Sequence, residues 1–227
     1  MTTWIVLSGI IAPALFWTGY FYYKDRFFPE PVINIAITYF LGFLSGFICL
    51  KIYGLLPQIG ITADPSFLME NNRWQFLGYC LGIVGFLEEI FKFIPFLFII
   101  FFFKAFDEKI DGIIYASTVA LGFASFENIN YLPSMEGVEL FGRAAASPLI
   151  HTIFASIWGY HVGKARLFGK SILKPSLISI FLASISHGFF DFLTLSSSLR
   201  ILSAVFILSI WIWRIKIIER LNQEGRV

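Results

Sequence analysis

The chain has 227 residues, 57% of them hydrophobic, 19% aromatic and 14% charged, with Phe occurring 28 times and a mean hydropathy of +0.76. A soluble domain is about 25% charged, so this composition excludes an ordinary water-soluble domain and reads as a membrane protein. The net charge of +2, with no basic cluster among interleaved aromatics, excludes a nucleic-acid partner.

The N-terminus, Met1-Thr2-Thr3-Trp4, lacks a basic leader and a small-residue cleavage site, so the first apolar run reads as a retained helix over residues 4–23. Lys24-Asp25-Arg26 stops it, and Pro29 with Pro31 keeps the following loop out of a helix. A second helix covers about 32–53. A polar loop follows over 57–73, with Asp64-Pro65 and Asn71-Asn72 as breakers. A third helix lies within 74–103, where Pro95 is a candidate kink. After the charged loop 104–111, a fourth helix covers about 112–132. The segment 133–147 reads as a loop before a fifth helix at 148–163, short enough to start near 142–146. A sixth helix covers 175–195. Ser196-Ser197-Ser198 forces an antiparallel hairpin to a seventh at 199–213, and Arg214, Lys216, Arg220 and Arg226 form a basic tail. Cys49 and Cys80 sit in apolar runs and read as small buried hydrophobes. The expectation is one domain over 1–227, an all-α polytopic bundle of about seven transmembrane helices.

Lys and Arg bias sets orientation. With the N-terminus outside, Lys24, Arg26, Lys104, Lys109, Lys164, Arg166, Lys170, Lys174 and the four tail residues are cytoplasmic, against Lys51, Arg73, Arg143 and Arg200 outside. Twelve against four predicts N-out, C-in.

Glu88, Glu89 and Lys92 lie inside the apolar run 74–103. An ionised side chain at membrane depth costs roughly 2.5–3.5 kcal/mol on insertion scales, so such residues mark function by default. Lys92 is four residues from Glu88 and three from Glu89, within reach of both on a helix. One glutamate is then left for chemistry, unless all three form a structural ion-pair knot. At 1.5 Å per residue from the cytoplasmic ends, Glu88 and Glu127 stand roughly 22 Å up, His187 about 18 Å and Asp191 about 24 Å. His151 starts its helix from the outside, so the groups converge in the outer half of the bilayer. Glu88, Glu89, Lys92, Glu127, Asn128, His151, His187 and Asp191 form the candidate site. His187 and Asp191 share a helical face, which suits a carboxylate that orients an imidazole. Two histidines with a carboxylate also make a common catalytic zinc set, although no HExxH motif is present. A glutamate in a low-dielectric pocket suits a general base for water, so amide hydrolysis fits the parts. His161, near the cytoplasmic end of its helix, reads as interfacial.

Glu88-Glu89-x-x-Lys92, then Gly122-Phe123-Ala124-Ser125-Phe126-Glu127-Asn128, His151 and His187-x-x-x-Asp191 resemble, in order, the motifs of PrsW-type intramembrane proteases, within the CAAX-processing and bacteriocin-processing membrane protease superfamily. Tyr22-Tyr23-Lys24-Asp25, Glu30-Pro31-Val32, Phe106-Asp107-Glu108, Asp111-Gly112-Ile113 and Gly163-Lys164-Ala165-Arg166 extend the resemblance over nearly the whole chain. The wider superfamily shows His at the position of Glu127 and Asn at that of Asp191. The resemblance implies a bacterial plasma-membrane peptidase making the site-1 cut in a single-span anti-sigma factor, on its extracytoplasmic side. A site-2 protease would then act on the product, and a sigma factor would be released under envelope or antimicrobial-peptide stress. By that analogy Glu88 is the base and Glu89 with Lys92 its supporting pair, the glutamates being able to exchange roles. Glu127, His151, His187 and Asp191 would hold either a metal ion such as Zn2+ or the oxyanion and water directly. The residues alone also admit an ion-coupled transporter or a non-catalytic scaffold of the same fold.

Overall fold

The computed structural model describes residues 3–61, 65–196 and 198–224. Asp64, Ser197 and Arg226, expected in a breaker, a hairpin link and a basic tail, lie outside the described residues. Among those described the fold is all-α: α1 (Thr3–Lys24), α2 (Val32–Tyr53), α3 (Pro65–Asn71), α4 (Arg73–Tyr79), α5 (Gly85–Phe102), α6 (Asp111–Tyr131), α7 (Gly137–Leu167), α8 (Leu173–Leu195) and α9 (Arg200–Glu224).

α6 is the axis of the bundle. Every residue from Asp111 to Ser125 is buried, and α1, α2, α5 and α7 pack around it. Its Ala, Gly, Ser and Thr side chains let neighbouring backbones approach closely, the usual device of helices that pack inside a membrane. The outer helices instead turn large apolar side chains outward, among them Leu15, Phe16, Leu177, Phe181 and Ile201. Among the described residues, five helices are long and apolar enough to span a bilayer on their own: α1, α2, α7, α8 and α9. The other two expected spans, α5 and α6, are the ones that carry the charges or the small polar residues of the interior.

Four boundaries differ from expectation. The segment 133–147 is mostly helix, because α7 starts at Gly137, which takes the left-handed backbone (φ +54°) that glycine tolerates, and runs 31 residues through Pro148. The tail from Arg214 is the last part of α9, since Ile218 and Leu221 pack against the core on one helical face. Arg214 itself is buried over the Phe21 ring and donates to Ser117 and Thr152. The polar loop 57–73 holds a 3-10 turn, Leu56–Ile59, and α3. Asn72 then caps α4, its side chain accepting from the backbone N–H groups of Trp74 and Gln75. The third expected helix is broken by a π-helical turn at Cys80–Val84, between α4 and α5, whereas Pro95 lies inside α5 without ending it.

At one end of the bundle, the α1–α2 loop meets the start of α6. Asp25 accepts from the Glu30 backbone N–H, Tyr115 donates to Glu30, and Asp111 accepts from the backbone of Asp107 and Glu108. Burial pushes the carboxyls of Asp25 and Glu30 up to about 7. A cavity of about 270 Å³ opens beside Asp25 and Glu108.

Candidate active site

The site forms where α5, α6, α7 and α8 cross, toward the other end. Two glycines bring α5 and α8 into backbone contact. A Cβ on Gly85 would meet the Ser184 carbonyl, and one on Gly188 would meet that of Cys80. Glu88 and Glu89 follow one helical turn after Gly85, and His187 directly precedes Gly188. The close crossing therefore sets the carboxylates against that imidazole.

The two glutamates have different surroundings. Glu89 is fully buried and fully engaged. Its Oε1 lies 2.8 Å from Lys92 Nζ and 2.9 Å from His187 Nδ1, and its Oε2 accepts from Trp158 Nε1 at 2.8 Å. Glu88 is held loosely. Its Oε2 stands 3.5 Å from Lys92 Nζ, 3.6 Å from His187 Nε2 and 3.9 Å from His151 Nδ1, and its Oε1 accepts from the Tyr53 hydroxyl at 3.3 Å. Glu89 and Lys92 thus make the buried structural pair, and Glu88 keeps a carboxylate facing the space between the histidines.

Behind each imidazole stands a carboxylate. Glu127 Oε2 lies 2.8 Å from His151 Nε2, and Glu89 supports His187 from its Nδ1 side. Asp191 lies 3.6 Å from His187 Nε2, and its side chain keeps 25% of its exposure. The two imidazole rings meet edge to face, 5.1 Å apart, and Phe154 stacks on His187. Lys92 sits over the Phe123 ring. Glu88, Glu89, Lys92, Glu127, His151, His187 and Asp191 are therefore brought together from four helices. Asn128 is buried without a hydrogen-bond partner for its amide, so it makes no hydrogen bond to them. His161 lies away from the group, beside Tyr160.

Sequence reasoning missed Tyr53, Trp158 and Arg143. Trp158 follows His151 by seven residues, two turns along one face of α7, and that spacing was a readable signal. Arg143, expected in an outer loop, lies on α7, 3.9 Å from Glu127 and over the Tyr131 ring. Tyr53 closes α2, whose apolar run carries no carboxylate or histidine, and nothing in its local sequence pointed there.

The ligand-capable atoms of Glu88, His151 and His187 fall within 4.8 Å of one another, and all three residues are buried. Two imidazoles and a carboxylate are a metal-binding donor set, and a carboxylate behind each histidine is the support that metal-ligating histidines need. The residues fit a divalent metal ion.

Comparison with known proteins agrees. Residues 30–214 match the model of the PrsW family intramembrane metalloprotease. The chain is similar to the protein named Protease PrsW of Oceanobacillus iheyensis, 34% identical over 96% of this chain and 97% of the relative. It is similar also to that of Bacillus subtilis, 34% identical over 83% and 82%, and to that of Clostridioides difficile, 27% over 90% and 86%. No solved structure matches.

Proposed function

The chain belongs to the PrsW family of intramembrane metalloproteases, and we propose that it makes the site-1 cut in a single-span anti-sigma factor, on the extracytoplasmic side of the bacterial plasma membrane. Peptidase activity and a multi-pass membrane location come with the family; the substrate and the residue roles are the proposal. The observation that carries it is the loosely held Glu88 carboxylate between His151 and His187, at the crossing of four helices.

In this reading the chain lies N-out and C-in. At about 1.5 Å per residue, Glu88, Glu127, His151 and His187 stand roughly 21–24 Å from the Lys/Arg-rich ends of α5, α6, α7 and α8. That depth lies toward the outer surface of a hydrocarbon core about 30 Å thick, which supports a cut outside the cytoplasm.

Glu88 takes a proton from water as the water oxygen attacks the scissile carbonyl carbon. It then returns that proton to the amide nitrogen as the C–N bond breaks. Glu89 and Lys92 fix α5 in place. Glu127 holds the orientation of His151, and Asp191 with Glu89 holds that of His187. A metal ion, zinc by donor type, would be held by His151 and His187, with Glu88 and Asp191 beside them, and would supply a Lewis acid for the carbonyl and for water. Lys92 would keep Glu89 as its partner were His151 to hold a metal ion. A site-2 protease acts on the product.

The test is co-expression of a single-span anti-sigma factor with the wild type and with Glu88→Gln. A shortened, membrane-retained product with the wild type alone is expected. Equal cleavage by the Gln variant removes Glu88 from the mechanism. Elemental analysis of the purified protein, with chelator inhibition, identifies the metal.

A further inference from the structure

We propose that the Tyr53 hydroxyl is a further catalytic group, the donor that holds the oxyanion formed when water adds to the scissile carbonyl. The inference rests on the substrate reading above. It starts from a division within the Glu88 carboxylate. Lys92, His151 and His187 all face Oε2, whereas Oε1 faces Tyr53 alone among the polar contacts found for it.

The length of that contact matters. A hydroxyl committed to a carboxylate sits about 2.5–2.7 Å away, and Tyr53 stands at 3.3 Å. Its hydroxyl can therefore turn to a second acceptor without a strong bond being lost. Catalytic hydrogen bonds are often long before substrate arrives. Three neighbouring donors are already engaged. Lys92 holds Glu89 and His151 at 2.8 and 2.9 Å, Trp158 holds Glu89 at 2.8 Å, and the Nε2 of His151 faces Glu127 at 2.8 Å.

Access points the same way. Glu88, Glu89, Lys92, His151 and His187 are buried, but Tyr53 is half-buried at the last residue of α2, where the chain leaves the bundle. A peptide entering from that end meets the phenol before it meets the base. The helix beneath is packed into the bundle. Gly46 packs on Phe126 of α6, Cys49 is buried, and Tyr53 continues the same face of α2. A neutral donor on a fixed helix beside the base is the arrangement that stabilises developing charge without reorganising.

The step balances. Water oxygen bonds to the carbonyl carbon, its proton passes to Glu88, and the carbonyl π pair becomes the oxyanion lone pair, to which Tyr53 donates a hydrogen bond and keeps its proton. When the C–N bond breaks, the C=O re-forms and Glu88 gives its proton to the amine.

Purified full-length wild type, Tyr53→Phe and Glu88→Gln are assayed on one fluorescently tagged single-span anti-sigma factor. Loss of one oxyanion donor costs about 10²–10³-fold in kcat. Tyr53→Phe is expected to lose on that scale, with KM little changed and with the same fold-loss at every pH below the alkaline limb. A wild-type kcat in Tyr53→Phe, while Glu88→Gln is inactive, overturns the Tyr53 role and leaves the substrate reading intact. A loss confined to one limb of the pH profile also overturns it, because that is what displacing Glu88 would do. Should Tyr53→Phe not accumulate, a fluorinated tyrosine at position 53 keeps the shape and ionises at lower pH. Activity then falls at correspondingly lower alkaline pH, and an unmoved limb rejects the proposal.

Discussion

Lys92 Nζ lies 2.9 Å from His151 Nδ1. An ammonium has only donors, so Nδ1 must be the acceptor and the proton of His151 sits on Nε2, pointed at Glu127. One lysine on α5 thereby sets the tautomer of a histidine on α7, while its ion pairs run to Glu88 and Glu89 of its own helix.

Glu127→Gln tests that chain of contacts. The amide keeps an acceptor oxygen, but the negative charge that orients and enriches the imidazole is gone. Removing such a support typically costs about 10–100-fold in activity or metal affinity. The expected result is a fall of that size in kcat/KM with an unchanged unfolding temperature. Thermal unfolding in detergent, run beside the kinetics, separates this from loss of fold.

Lys92→Met has a different signature. Glu89 is fully buried and loses its one cationic partner of that helix, so an uncompensated charge is left inside the bundle. Breaking a buried pair this way costs about 3–5 kcal/mol. Adding Glu89→Gln to the lysine variant removes the stranded charge, and most of the lost stability returns. The double-mutant cycle, read by thermal unfolding, checks it. Additive losses would show that the two side chains do not act as a pair.

The sequence made the long apolar segments and the intramembrane charges legible, because a charge in lipid is costly enough to announce itself. Glu88, Glu89, Lys92, Glu127, His151, His187 and Asp191 all meet as expected. What stayed hidden follows a physical pattern. Tyr53, Trp158 and Arg143 are amphipathic residues that suit a membrane interface as well as a site, so composition could not separate the uses. The start of α7 at Gly137 was obscured by Gly142 and Pro148, both tolerated once neighbouring helices hold the segment. Arg214 read as tail because a buried arginine among Ser117, Thr152 and Phe21 is a tertiary arrangement.

Gly188→Ala probes the α5–α8 crossing. Its new methyl would run into the Cys80 carbonyl and the Leu81 backbone, which cannot swing away as a side chain can. The helices must part, and His187 moves off Glu89. A loss of about 1–3 kcal/mol is expected, as for overpacking elsewhere, with activity falling further than stability alone explains. Ala at Gly142 on α7, where no neighbouring atom approaches, is the matched control and should leave both unchanged.

Asp25 lies outside the spanning helices, and its pH dependence has a definite sign. Burial raises its carboxyl from the ordinary carboxylate value to about 7 in the folded protein. The folded state therefore holds a proton that the unfolded chain has already released, over the window from about pH 4 to about pH 7. The stability tied to that proton is full below pH 4 and is lost as pH rises through 7. Asp25→Asn keeps an oxygen acceptor for the Glu30 N–H and cannot ionise. The variant should match the wild type near pH 4.5 and be more stable by about 1–2 kcal/mol at pH 8, less than the full shift implies because a cavity beside the group admits solvent. Unfolding temperatures at the two pH values decide it: a gap that fails to widen toward pH 8 would show that Asp25 stays ionised in the folded bundle.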